Sequence, residues 1–140
     1  RLDELQASIL RIKLKYLDSD NQKRRNIAKF YYDNLSHLPI VLPEIRSSVE
    51  PVFHLFVIQV EKQKKLLNFL KEEGILAGVH YPLPVHLHPA YISKIKRLKD
   101  MSVTETIINK IISLPIYPEL SYDDATLIVN SVQKFYKNRN

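Results

Sequence analysis

A chain of 140 residues is long enough to bury a substantial apolar core in one compact domain and too short for two full-size domains. Its apolar share of 45% and charged share of 26% are those of an ordinary globular protein, and no run nears the roughly 20 apolar residues of a membrane span. Without cysteine, disulfides, thiolate metal sites and cysteine nucleophiles are excluded, while 21 Lys and Arg against 15 Asp and Glu leave a charge of +6 that attracts anions without selecting one.

Leu2, Leu5, Ile9, Ile12 and Tyr16 recur at spacings of three and four, which predicts an amphipathic helix at the start of the chain. Ser19 followed by Gln22 has the form of a capping box, and Ile27, Phe30, Tyr31 and Leu35 supply a second stripe. The expectation is a helical hairpin over about residues 2–37, turning near Asp18 to Asp20. Pro39 and Pro43 end it, and Ser47, Ser48 and Pro51 mark a loop. Phe53 to Val60 is rich in β-branched and aromatic residues on both faces, as a central, doubly covered strand would be.

Leu66, Leu67 and Leu70 predict a helix over 62–73 that closes at Gly74, and Ile75 to Tyr81 reads as a further strand. Pro82, Pro84 and Pro89 then impose an irregular connection from His80 to Ala90. Ser102 and Glu105 form another capping box ahead of Val103, Ile107, Ile108, Ile111 and Ile112, with a short extended piece at Leu114–Ile116. A last helix starts near Ser121 and carries Ala125, Ile128, Val129, Val132 and Phe135. The pattern favours an α+β fold with a small, mostly antiparallel sheet; the helix at 62–73 also leaves room for a right-handed parallel crossover. The basic clusters, at Lys23–Arg25, Lys62–Lys65, Lys94–Lys99 and Lys134–Arg139, read as solvated helix faces.

Three histidines and two tyrosines fall within the twelve residues from His80 to Tyr91. One reading is a metal site using His86 and His88, which point to one side of an extended chain, with His80 as third ligand; no acidic residue in the segment is at hand to orient them. Another is a structural loop. The third is a ligand-binding loop whose imidazoles and phenols donate to phosphate or sugar oxygens while an aromatic face stacks on a flat ring. No glycine-rich phosphate loop, G-x-S-x-G, H-E-x-x-H or EF-hand loop is present. The charge also admits a module for nucleic acid, although the aromatics do not interleave with arginine in a recognised motif.

Taken in order, Arg1 to Ala7, Arg24-Arg25 with Ile27-Ala28 and Tyr31, His54 to Ile58, Gly74-Ile75, His80-Tyr81-Pro82 with Pro84, His86-Leu87 and Ala90-Tyr91, Thr104-Glu105, and Ser113 to Ile116 with Pro118 resemble the C-terminal part of the DegT/DnrJ family. These are sugar aminotransferases that share the aspartate-aminotransferase fold. The resemblance implies a single C-terminal domain over residues 1–140, with the catalytic large domain and its Schiff-base lysine lying upstream of Arg1. It implies a parent that uses pyridoxal phosphate and an amino donor, often glutamate, to aminate a keto group on a nucleotide-linked deoxysugar, working as a cytoplasmic homodimer without nucleic-acid or membrane partners. It makes His80, Tyr81, Pro82, Pro84 and His86 the substrate-site residues and Arg1 a cofactor-side residue, with no catalytic residue and no metal in this chain. The fragment alone is then expected to be inactive. The alternative is a non-catalytic domain for structure, dimerisation or anionic-ligand binding.

Overall fold

The computed structural model describes residues 2–94 and 100–137. Helix α1 (Glu4–Leu14) starts at Asp3, whose Oδ1 accepts from the backbone N–H of Leu5 at 2.9 Å and of Gln6 at 3.3 Å. Helix α2 (Leu17–Leu35) follows after only Lys15 and Tyr16. The turn therefore lies earlier than Asp18 to Asp20, and Ser19 is already inside α2: its hydroxyl donates to Tyr16 O at 2.8 Å rather than capping. Gln22 reaches forward to Asn26. Helix α1 buries no residue, so the two helices do not close on each other as an apolar hairpin would.

Strand β1 (Phe56–Gln59) is shorter than the sequence suggests, because Phe53 takes a positive φ of 52° and turns the chain just before it. That turn lays the Phe53 ring against Tyr32 and Phe56, with centroids 6.2 and 5.9 Å away. One face of β1 is fully buried through Phe56 and Ile58, while Val57 and Gln59 are only half-buried. Helix α3 (Gln63–Glu72) ends before Gly74, whose φ of 79° is the left-handed closure expected there.

A 3₁₀ turn (Val85–Leu87) and the short helix α4 (Ser102–Ile107) precede strand β2 (Ile111–Leu114). The helix is not opened by a Ser102–Glu105 box. Its N-cap is Met101, and Asp100 just before it accepts from the Ser102 N–H at 2.9 Å and the Ser102 hydroxyl at 2.7 Å. The isoleucine run at 107–112 was expected to continue the helix, yet it breaks into β2. The Gln63 side-chain amide donates to Ile108 O at 2.9 Å and Ile111 O at 2.7 Å, and Val60 N–H donates to Lys110 O at 2.8 Å. These partners take carbonyls that a longer helix would have used internally, and β-branched Ile suits the strand.

The two strands pair antiparallel, with Phe56 opposite Leu114 and Ile58 opposite Ile112. Single bridges extend the ladder, Val41 beside Gln59 and Gly78 beside Ser113. The strand predicted at Ile75 to Tyr81 is reduced to that Gly78 bridge, because the Ala77 N–H bonds back to Ile75 O and bends the chain. No parallel crossover occurs among these strands; the α+β expectation holds. Helix α5 (Tyr122–Lys137) packs on α2 and α3. Tyr31, Leu35, Phe56, Ile58, Leu66, Leu70, Ile112, Leu114 and Val132 form the solvent-free centre between the sheet and these three helices.

Candidate functional site

The segment from His80 to Tyr91 leaves the sheet edge at Gly78 and runs over the surface as an ordered loop. Its entry is fixed by β2: Gly78 exchanges backbone bonds with Ser113 at 3.1 and 2.7 Å, and the Ser113 hydroxyl lies 3.0 Å from His80 Nδ1. The His80 ring folds over Gly78 so closely that a Cβ there would lie 3.2 Å from His80 Cε1. Glycine at 78 thus makes room for the imidazole. Tyr81 follows through a cis peptide bond and is exposed, its ring edge-on to His80 at 5.7 Å.

Tyr81, Pro82, Leu83, Val85, His88 and Tyr91 enclose a cavity of about 410 Å³. The Ala90 N–H donates to His88 Nδ1 at 3.3 Å, which leaves Nε2 as that ring's N–H donor, and the Tyr91 ring sits 5.7 Å away. Two phenols and one imidazole around an otherwise apolar wall can bind oxygen-bearing ligands and stack on a flat ring. A larger cavity of about 570 Å³ lies between Pro43 and Val57, with Arg46 and His54 among its lining residues. It sets one aromatic ring, Phe53, and one imidazole, His54, against the two phenols and one imidazole of the smaller one, which we take as the better ligand seat.

Of the residues singled out from sequence, Tyr81 and Pro82 line the cavity; Pro84 is buried beside it and accepts from the Leu87 N–H. His80 is committed to Ser113, and His86 is turned inward: its side chain is only 5% exposed and its Nε2 lies 3.0 Å from Glu105 Oε1. Arg1 lies outside the described residues. His88 and Tyr91, which the sequence offers as members of a ligand-binding loop and, for His88, also as a metal ligand, belong to the wall with Val85, and Glu105 stands behind it. Glu105 was invisible as a partner because 19 residues separate it from His86; its occurrence in the Thr104-Glu105 motif was the one available signal. Among the described residues no three His, Cys, Asp or Glu side chains stand together as a metal site.

Residues 1–133 match the DegT/DnrJ/EryC1/StrS aminotransferase family. The chain belongs to this family. It is 38% identical over 135 residues to a dTDP-3-amino-3,6-dideoxy-alpha-D-galactopyranose transaminase of Aneurinibacillus thermoaerophilus, covering 96% of this chain and 37% of that protein. The fold superimposes on DesV of S. venezuelae, whose structure holds a ketimine intermediate, with a TM-score of 0.94 at 37% identity over 100% of this chain and 38% of DesV. NtdA of Bacillus subtilis, solved with the cofactor PMP, gives a TM-score of 0.85 at 28% identity, covering 98% of this chain and 33% of NtdA. The chain spans about a third of the length of these relatives, from 33% to 38%.

Family members of this kind point to a pyridoxal cofactor, and the cavity at Tyr81 to Tyr91 offers no amine to hold its aldehyde. No lysine lines the cavity, and Lys29, Lys110 and Lys134 are paired with Asp33, Glu61 and Glu73 at 2.7, 2.8 and 2.9 Å on the surface. Among the described helices none is long and apolar enough to cross a membrane.

Proposed function

We propose that this chain is the C-terminal portion of a pyridoxal-phosphate-dependent aminotransferase that aminates a keto group of a nucleotide-linked deoxysugar, and that it supplies one wall of the substrate site. The carrying observation is the cavity framed by Tyr81, Pro82, His88 and Tyr91, in a chain whose family relatives act on such sugars. The Schiff-base lysine belongs to the part of the enzyme that this chain does not span, so the fragment binds and orients without reacting. A homodimeric parent fits the same reading: α1 exposes Leu5, Ile9 and Ile12 on one stripe, a face suited to the rest of the enzyme or to a second subunit.

The test uses the full-length protein with pyridoxal phosphate, glutamate and a nucleotide-linked keto-deoxysugar, with the amino-sugar product followed by mass spectrometry. The wild type turns over, and Tyr81→Ala lowers kcat/KM by roughly 10-fold, the effect of losing one hydrogen bond or stacking contact in the transition state. An unchanged kcat/KM for Tyr81→Ala removes the substrate-wall assignment, and no amino sugar from any such substrate removes the enzyme reading.

A further inference from the structure

We infer that Glu105 is a positioning residue for the cavity: by seating His86 it fixes the rotation of the 3₁₀ turn and so aims Val85 and His88 at the ligand. The inference rests on the proposed function only for the identity of the ligand.

Side chains three apart in a 3₁₀ helix eclipse, so Val85 and His88 fall on one side of the turn and His86 on another. That is the arrangement observed: Val85 and His88 line the cavity, while the His86 ring is buried behind it. A buried imidazole is costly unless its N–H finds an acceptor, and Glu105 Oε1 at 3.0 Å is placed to accept it. The carboxylate is itself held on a structured element, since the Glu105 N–H donates to Met101 O at 3.0 Å and the Ser102 N–H at the start of α4 donates to Asp100 Oδ1 at 2.9 Å. The turn itself closes on two backbone bonds, Leu87 N–H to Pro84 O at 3.0 Å and His88 N–H to Val85 O at 3.2 Å, and the chain after it on the Tyr91 and Ile92 N–H groups to His88 O at 2.8 and 2.9 Å; none of these reaches another element. The His86–Glu105 contact joins this turn to α4, 19 residues further along the chain. Rotating His86 out would carry Val85 and His88 away with it.

The experiment compares wild type, Glu105→Ala, Glu105→Gln, His86→Ala and the double variant Glu105→Ala/His86→Ala in the full-length protein. Two readouts are taken: amide hydrogen exchange of peptides across 82–92 against core peptides across 56–60, and KM against kcat for the nucleotide-linked sugar. Glu105→Ala should speed exchange of the Leu87 and His88 amides by about 10-fold while the core peptides stay unchanged. It should raise KM by more than it lowers kcat. Glu105→Gln keeps an acceptor oxygen and should restore most of both, and the double variant should be no worse than His86→Ala alone, because the two residues act as one unit. Unchanged exchange across 82–92 in Glu105→Ala overturns the inference, as does faster exchange that extends to the core peptides, or an additive double variant. A parent that accepts no nucleotide sugar would defeat the proposed function while leaving the exchange experiment decisive for Glu105.

Discussion

Tyr31 ties three parts of the molecule together through one side chain. It is fully buried on α2, its ring lies 5.1 Å from Phe56 on β1, and its hydroxyl donates to Pro115 O at 2.7 Å just beyond β2. Burial pushes the phenol well above its ordinary value near 10, with the neighbouring Tyr117 adding to the rise, and burial raises Tyr32 as well. A group bound more tightly to its proton in the folded state contributes stability that is fully present below pH 10 and is lost as the pH climbs above it. Tyr31→Phe should cost about 1–2 kcal/mol at neutral pH by leaving the Pro115 carbonyl without its donor, and it should flatten the loss of stability above pH 10. Urea unfolding of both forms at pH 7 and at pH 10.5 checks this; an equally steep alkaline loss in the variant would exclude Tyr31 as its source. The helical stripe in the sequence places Tyr31 on the core face, but its partner 84 residues away has no trace there. His86 is the converse case. The family resemblance makes it a substrate-site residue, whereas the 3₁₀ turn rotates it toward a carboxylate that only the fold brings near.

Elements with a clean apolar period were legible, and those decided by distant partners were not. Helices α3 and α5 stand close to where the spacing of Leu66 and Leu70, and of Ala125 to Phe135, put them. The helical spacing of Ile107, Ile108, Ile111 and Ile112 predicts helix where β2 begins, and the side chain that splits them is Gln63, far back in the sequence. The two proposed capping boxes at Ser19 and Ser102 fail for a related reason. A Ser-x-x-Glu or Ser-x-x-Gln pattern offers a cap, but the helices already start from Tyr16 and Met101. Ser121 does act in this way: its hydroxyl oxygen accepts from the Asp124 N–H at 3.0 Å and its O–H donates to Asp124 Oδ2 at 2.7 Å, closing the start of α5 reciprocally. Ser121→Ala should therefore destabilise the chain by about 1 kcal/mol, and Ser121→Asp should recover part of that through its own cap oxygen. Thermal midpoints of the three forms measure it, and an alanine form as stable as wild type would show that the first turn of α5 needs no side-chain cap.

At the scale of the whole molecule, stability and surface are divided between different helices. The antiparallel pair β1 and β2, with α2, α3 and α5, encloses every fully buried large side chain among the described residues, and Leu70 is one of them at 0% exposure. Helix α1 takes no part: Leu5 is 71% and Ile12 60% exposed, although its sequence is as apolar along one stripe as a core helix would be. Its periodicity was legible and its lack of a partner was not, since a hydrophobic stripe specifies that a face be covered without saying by what. The chain should accordingly respond to truncation of equivalent leucines in opposite ways. Leu70→Ala opens a cavity in a closely packed centre and should lower the unfolding free energy by roughly 2–5 kcal/mol. Leu5→Ala removes a side chain that already meets water and should change it by no more than about 0.5 kcal/mol. Urea titrations of the 140-residue chain followed by circular dichroism give both numbers. A Leu5→Ala loss comparable with that of Leu70→Ala would mean that α1 is part of the cooperative core, and that its stripe is covered within this chain.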